Sequence, residues 1–466
     1  MSNTLLKICR KVLVPLFLRF FNACLKHCHH PHRFKHATTV VLRKPKGPYW
    51  DPKNWRPIAL LYSIGRLFEA AIVKMLTEIA VKQNMIPPEQ MAFAGRTTSD
   101  ALLYVETIIR AAWANGRIVT LLSLDMSKAF DRVNRTRPLQ ILHRKGVPPG
   151  LIVLIRSFLP DRTTTIRMPG RSPGCQKPAF ANSFMFYTSL LLEELARPAS
   201  GMSSRHQVAF SDDIAILRVS ESVHTNCQGL SQDFRICDSW AKDHDMEFNP
   251  KNFDCMHFTR RKLTRTEWYM TPRIPNFTPG DDYQVKLKLL GVILDPQLAW
   301  DAHMAHIELK KVASLRRTFK RLFGPKFGPF MEIGTLLYNS VAFAAIRYGH
   351  EVWGDQTWLL RKHKNYLETT QNTFLRIIRG VLSGARVVAL HKELHMTNIL
   401  VELERLRNLS LAKTRMKPVW LTIAYARDKV YAQTQLWNLK TTTYRRIRDP
   451  FNDRWTHAYN YCSTLY

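Results

Sequence analysis

The stretch His206–Ser220 reads HQVAFSDDIAILRVS and sets two carboxylates, Asp212 and Asp213, side by side between two apolar runs. A third acid, Asp125, closes the apolar run RIVTLLSLD. Adjacent carboxylates raise the cost of each other's ionisation unless something positive lies between them. Oxygen-only ligands of this kind suit a hard divalent cation such as Mg²⁺. Two such ions roughly 3.5–4 Å apart can activate an attacking hydroxyl and neutralise a leaving phosphate in an in-line displacement. The chemistry implied is phosphoryl or nucleotidyl transfer. Taken singly, each acid also has an ordinary role, Asp212 and Asp213 as turn residues and Asp125 as an N-cap.

For the three to act together, the chain must bring two distant segments into one sheet. QVAF and IAIL flank the Asp pair and fit two strands of a hairpin with the acids at its bend. RIVTLLSLD is β-branched and leucine-rich and reads as a buried strand with Asp125 at its C-terminal end. Upstream, ATTVVLRKPKG begins as a strand, and an apolar run returns after Pro57. Helical spacing follows at Ile64, Leu67, Phe68, Ala71, Ile72 and Met75. A Ser/Thr/Asp start then opens a second helix, which stops at Asn115-Gly116. From Ala302 to Phe323, Val312, Leu315, Phe319 and Leu322 line one side of a further helix, with Lys310, Arg317 and Arg321 on another. That helix fits either a nucleic-acid backbone or solvent.

Composition narrows the partner. The chain has 466 residues, 45% of them hydrophobic, enough for two to four lobes with a sizeable core. Its 69 Lys and Arg stand against 36 Asp and Glu, a formal net charge of +33 spread along the whole length. That balance points to a polyanion, nucleic acid ahead of an anionic membrane. Eight cysteines in no regular framework suggest free thiols in a reducing compartment, nuclear or cytoplasmic. CLKHCHHPHRFKH holds zinc-type ligands, but no second Cys/His cluster follows it. The first fifty residues contain no acid, and VLVPLFLRFF is too short to span a bilayer. An amphipathic helix over Leu13–Leu25 is expected, with a mitochondrial transit segment as the alternative.

Two words around the acids, LSLDMSKAFDRV and AFSDDIAIL, resemble motifs of the reverse transcriptases of LINE-type, non-LTR retrotransposons. The second is similar to their [FY]-x-D-D box. VVLRKPKG with NWRPIALL resembles the fingers motif, and GRTTSDAL a shortened form of the next. FNPKNFDCMHFTRR is similar to the segment after the hairpin, and KLLGVILDPQLAWDAHM to the primer grip. AAIRYGHEVW and LETTQNTFLRIIRG resemble the thumb and connection. The likeness runs from about Pro31 to Gly380 in the family's order.

The resemblance implies an α+β right-hand polymerase: N-terminal helix and linker over 1–36, fingers over 37–115, palm over 116–300, helical thumb over 301–400 and a basic tail over 401–466. Its activity would be extension of a DNA primer on an RNA template from deoxynucleoside triphosphates, with two Mg²⁺ ions or Mn²⁺ in their place. Asp125, Asp212 and Asp213 take the positions of the catalytic metal ligands. Phe130 takes that of the aromatic that blocks a 2′-hydroxyl, and Lys44 and Arg56 those of the cations on the triphosphate. Lys251 matches a lysine that protonates the leaving pyrophosphate, and Gly291 lies at the primer grip. No membrane partner is implied, and the oligomeric state is open.

One word departs from the family. Where a G-x-P-Q-G-S-P-L-S-P nucleotide-pocket word should stand, the chain reads SPGCQKPAFANSFMFYTSLLLEEL, with Gln176 as the stand-in for the missing glutamine. The sequence therefore reads as a truncated and partly degenerate copy, with no endonuclease or RNase H signature. A remnant that binds nucleic acid without extending it is the alternative reading, and a maturase-like splicing helper a third.

Overall fold

The computed structural model describes residues 3–43, 48–51, 54–127, 136–168, 171–175, 184–198, 203–280, 283–323, 330–355, 357 and 359–438. Its strands are β1 (His36–Arg43), β2 (Trp55–Leu61), β3 (Ile118–Leu124), β4 (Thr163–Met168), β5 (Arg171–Cys175), β6 (Ser204–Phe210), β7 (Asp213–Ser220), β8 (Asp254–Phe258), β9 (Leu287–Leu289) and β10 (Val292–Leu294). They fall into two compact units, and the chain passes between the units several times. The first comprises Met1–Pro87, Met126–Glu194 and Asp238–Glu247, and the second Pro88–Asp125, Leu195–Cys237 and Phe248–Tyr466.

The first unit holds a four-stranded sheet in the order β2-β1-β4-β5, with β1 antiparallel to β2 and parallel to β4. Thr39 and Thr164 share a buried hydroxyl–hydroxyl bond of 2.7 Å across the parallel pair. Ser63–Lys82 forms a helix that buries Phe68 and Ile72 as expected and Leu76 one turn on, whereas Leu67, expected on the same face, is exposed because the buried stripe runs at four-residue steps through Phe68, Ile72, Leu76 and Ala80. The N-terminal helix runs Arg10–Lys26, wider than the expected Leu13–Leu25. It docks through Phe21, whose ring lies 4.8 Å from that of Phe68, and leaves Val12, Val14, Leu16 and Leu18 exposed. His30 of the Cys/His-rich stretch is a core residue, its ring 4.7 Å from that of Phe158. Burial, and after it Arg162, pushes its pKa down to about 4 and keeps it neutral.

The second unit is built on an antiparallel sheet in the order β6-β7-β3-β8. β3 lies between two partners, and all its residues but Ser123 are buried, so its run is continuously apolar rather than alternating. Val119 and Leu121 join Leu217, Val219, Met256 and Phe258 in one core with the helix Thr98–Ala114. That helix starts on a reciprocal cap: Thr97 Oγ accepts from the Asp100 N–H, while the Asp100 carboxylate accepts from the Thr97 N–H. Downstream helices bury Trp300 and Trp353 in the same core. The helix expected over Ala302–Phe323 begins at Asp301 and passes through one π turn, Ile307–Val312, before Ala313–Leu322. Val312 and Phe319 face inward as expected, whereas Leu322 is exposed: it is the helix's last residue, and Phe323 turns in.

Candidate active site

Asp125 follows the last paired residue of β3. The register pairs Leu124 with Ile214, so one step further sets Asp125 opposite Asp213, the first residue of β7. Cross-strand neighbours lie on the same face of a sheet, roughly 5 Å apart at Cβ. Asp213 reports this proximity: its carboxyl is pushed above the usual range, first by withdrawal from water, then by Asp212 and Asp125, with Lys288 opposing the rise. The residue opens on a small recess lined by Ala101, Phe210, Leu289 and Leu290.

The bend between β6 and β7 has two residues, Ser211 and Asp212, because Phe210 pairs with Asp213. Ser211 takes a φ of +61°, a conformation that serine rarely adopts. What holds it there is Gln90, a fully buried side chain whose Oε1 accepts from the Ser211 N–H at 3.2 Å and from the Ala92 N–H at 3.2 Å. The backbone on either side of Gln90 is laced to β6: the Met91 N–H donates to Ala209 O at 2.7 Å, and the Ala209 N–H to Glu89 O at 3.0 Å.

On the other side of the site, the turn Pro250–Asn252 leads into β8 and runs beside the end of β3. The Asn249 N–H donates to Asp125 O at 2.9 Å, and Asn252 Nδ2 to Asp125 Oδ2 at 2.8 Å. Lys251 stands exposed on that turn, one residue from the amide that orients Asp125. Beyond β8, the β9–β10 hairpin turns on Leu290 and Gly291, both at positive φ. A Cβ at Gly291 would come within 3.2 Å of the Tyr348 ring, and the Tyr348 hydroxyl donates to Leu290 O at 2.7 Å. Glycine is therefore required there both by conformation and by space.

The fold thus brings Asp125, Asp212, Asp213 and Lys251 to one end of the second unit's sheet. Arg56 lies on β2 in the first unit, paired with Leu42. Lys44, Phe130 and Gln176 lie outside the described residues. Three residues join the site that sequence reading passed over: Gln90, Asn252 and Lys288. Only Lys288 left a local trace, in the alternation LKL that sets it on the opposite face from Leu287 and Leu289.

The donor set suits a hard divalent cation, being oxygen-only and carried on adjoining strand ends. Among the described residues no three His, Cys, Asp or Glu side chains form a ready-made metal cage. The carboxylates repel one another, and that of Asp125 is engaged by Asn252. A cation would supply what draws them together.

The family described as "Reverse transcriptase (RNA-dependent DNA polymerase)" matches residues 42–294, more than half of the chain. The chain belongs to that family. Its fold is accordingly the α+β right-hand polymerase fold that the motifs implied. Among curated relatives, the chain is 25% identical over 413 residues to the "Probable RNA-directed DNA polymerase from transposon X-element" of Drosophila melanogaster, a match covering 86% of this chain and 44% of that one. It is 23% identical over 412 residues to the "RNA-directed DNA polymerase from mobile element jockey" of the same organism, covering 85% and 43%. The chain thus spans less than half the length of these relatives. Among solved structures, telomerase from Candida Tropicalis in complex with a fragment of telomeric RNA aligns with a TM-score of 0.43 at 9% identity, over 92% of this chain and 65% of that one.

Proposed function

We propose that this chain is the polymerase portion of a non-LTR retrotransposon, which extends a DNA primer 3′-hydroxyl on an RNA template with deoxynucleoside triphosphates. The observation that carries this reading is the register that sets Asp125 across from Asp213, with Asp212 in the adjoining bend. Asp125, Asp212 and Asp213 would hold divalent cations, two Mg²⁺ or Mn²⁺ in their place. Bound there, such ions would lower the pKa of the primer hydroxyl and neutralise charge on the transferred phosphate and the leaving pyrophosphate.

The chain's own groups do the positioning. Asn252 holds the Asp125 carboxylate in one orientation, as an amide beside a metal ligand does. Gln90 fixes the bend that presents Asp212. Lys251, exposed on its turn, would give a proton to pyrophosphate, and Lys288 offsets part of the carboxylate charge. By their sequence positions, Lys44 and Arg56 would grip the triphosphate, Gln176 would border the nucleotide, and the Phe130 ring would exclude a 2′-hydroxyl. The charge of +33 supports a nucleic-acid partner. Free cysteines such as Cys227 and Cys255 support a nuclear or cytoplasmic site of action. Among the described residues, no helix is long and apolar enough to cross a membrane.

The test is extension of a DNA primer annealed to RNA by the purified chain, with deoxynucleotides and Mg²⁺. Extension that disappears in Asp212→Asn supports the reading. Retained RNA binding with no extension across salt and metal conditions would replace it with a binding-only remnant.

A further inference from the structure

At the far end of β6 from the carboxylates, the second unit contains a cavity of about 380 Å³. Six residues separate Arg205 from the Ser211 bend, roughly 20 Å along an extended strand. The volume lies in the range of ligand pockets, about 300–1,000 Å³, and far above the roughly 30 Å³ share of one water. Its walls are Glu89, Tyr104, Arg205 and His206 on one side, with Tyr425 and Lys429 of the helix Val419–Asn438 on the other.

The charges around it do not balance. Arg205 and Arg218 are buried and share one carboxylate, Asp233: Arg205 Nη1 donates to it at 2.9 Å, and Arg218 Nε and Nη2 at 2.7 and 2.6 Å. Arg218 also donates to Ser203 O at 3.0 Å, and Arg205 Nη2 to Arg197 O. The seat is tight, since a Cβ at Gly229 would come within 3.0 Å of both Arg218 Nε and Ser203 Oγ. Lys429 then adds a third cation, donating one of its three N–H groups to Arg205 O at 2.9 Å.

The second carboxylate, Glu89, faces Arg96 and Lys429, and burial outweighs their pull in raising its pKa. Burial, followed by Arg205, lowers the Lys429 pKa, so the lysine would gain from a negative neighbour. His206 is held neutral, its pKa pushed down to about 3 by burial and then by Lys429 and Arg218. Arg205, Arg218 and the half-buried Lys429 outnumber Asp233 and Glu89, and an excess of positive charge drawn away from water is costly unless an anion answers it.

We propose that this cavity is an anion site, separate from the polymerase carboxylates, which takes a phosphate-bearing ligand about the size of one nucleotide. Lys429 and Arg205 meet the phosphate, and the Tyr104 and Tyr425 rings wall the remainder. A free mononucleotide and a phosphate within a nucleic-acid strand share this chemistry.

The test is equilibrium binding and thermal stabilisation of the whole chain in EDTA, which keeps divalent cations off the carboxylates. The probes are adenosine monophosphate, inorganic phosphate and a short 5′-phosphorylated RNA. Saturable stabilisation by adenosine monophosphate is expected, with affinity falling roughly tenfold in Lys429→Met through loss of a charge-assisted hydrogen bond. Lys413→Met, which removes an exposed lysine elsewhere, should bind as the parent does. Tyr425→Ala, on the exposed rim, is the second variant should Lys429→Met fail to fold, and should weaken the nucleotide more than inorganic phosphate. If RNA alone binds, and does so in the Lys429-dependent way, the ligand is a strand; if the mononucleotide binds, it is free. Absence of any saturable shift, or an equal shift in Lys429→Met or Tyr425→Ala and the parent, overturns the proposal.

Discussion

The two sheets of this chain solve opposite problems. In the second unit, β3 is flanked on both edges and buried throughout except at Ser123, and the acids stand on the ends of strands that cannot shift without disturbing the core. In the first unit, β1 and β2 leave Leu42, Ile58 and Leu60 about half exposed. The contrast teaches where rigidity lies: the strand ends that carry the acids stand on a platform with locked neighbours, whereas the first unit's sheet keeps some of its apolar side chains partly in water.

The largest effect should come from the acids themselves. Asp213→Asn should lower primer extension by at least about 100-fold, corresponding to several kcal/mol of transition-state charge stabilisation, while RNA binding in a filter or gel assay is unchanged. Loss of RNA binding together with extension would mean that the acid supports the fold rather than the chemistry.

Next come core substitutions that test the contrast directly. Leu121→Ala, at a fully buried position on β3, should cost about 2–5 kcal/mol in denaturant unfolding. Leu60→Ala, on the half-exposed β2, should change stability by no more than roughly 0.5 kcal/mol. Equal costs would erase the distinction between the sheets.

The two supporting amides should give intermediate losses. Asn252→Ala should reduce apparent metal affinity or activity by roughly 10–100-fold, as loss of a partner behind a metal ligand does. Gln90→Ala should lower extension and stability together, since it strips the buried acceptor from the Ser211 and Ala92 N–H groups at about 1–3 kcal/mol. A Gln90 variant with parental activity would show that the bend holds its shape unaided.

The smallest effect is a pH dependence. The Asp213 carboxyl has a raised pKa in the folded chain, so its ionised form opposes folding above that pKa, and the opposition fades as pH falls toward the unfolded carboxylate range. Without divalent cations, Asp213→Asn should therefore melt slightly higher than the parent near neutral pH, and the gain should shrink on acidification. A gain that grows as pH falls would contradict the cause assigned to the shift.

Much of the second unit's sheet and its neighbouring helix is legible in the chain. The apolar run into Asp125, the hairpin around Asp212 and Asp213, and the capped helix at Thr97–Asp100 each carry a local signature, because periodicity, turn length and capping act over a few residues. The π turn at Ile307–Val312 left no such trace, since one added residue per turn barely disturbs a helical pattern. The exposure of Leu322 was equally hidden: which of two adjacent apolar residues turns in at a helix end depends on what it meets.

The sequence by itself determined the three carboxylates, their place at strand ends and the family word around them, because these depend on residue identity and near neighbours. Only the tertiary structure decided that Asp125 stands across from Asp213, that Asn252 holds one acid and that Gln90 holds the bend of another. Those contacts join residues 88 to 127 positions apart, and a glutamine or asparagine looks the same in the chain whether it meets water or a buried N–H.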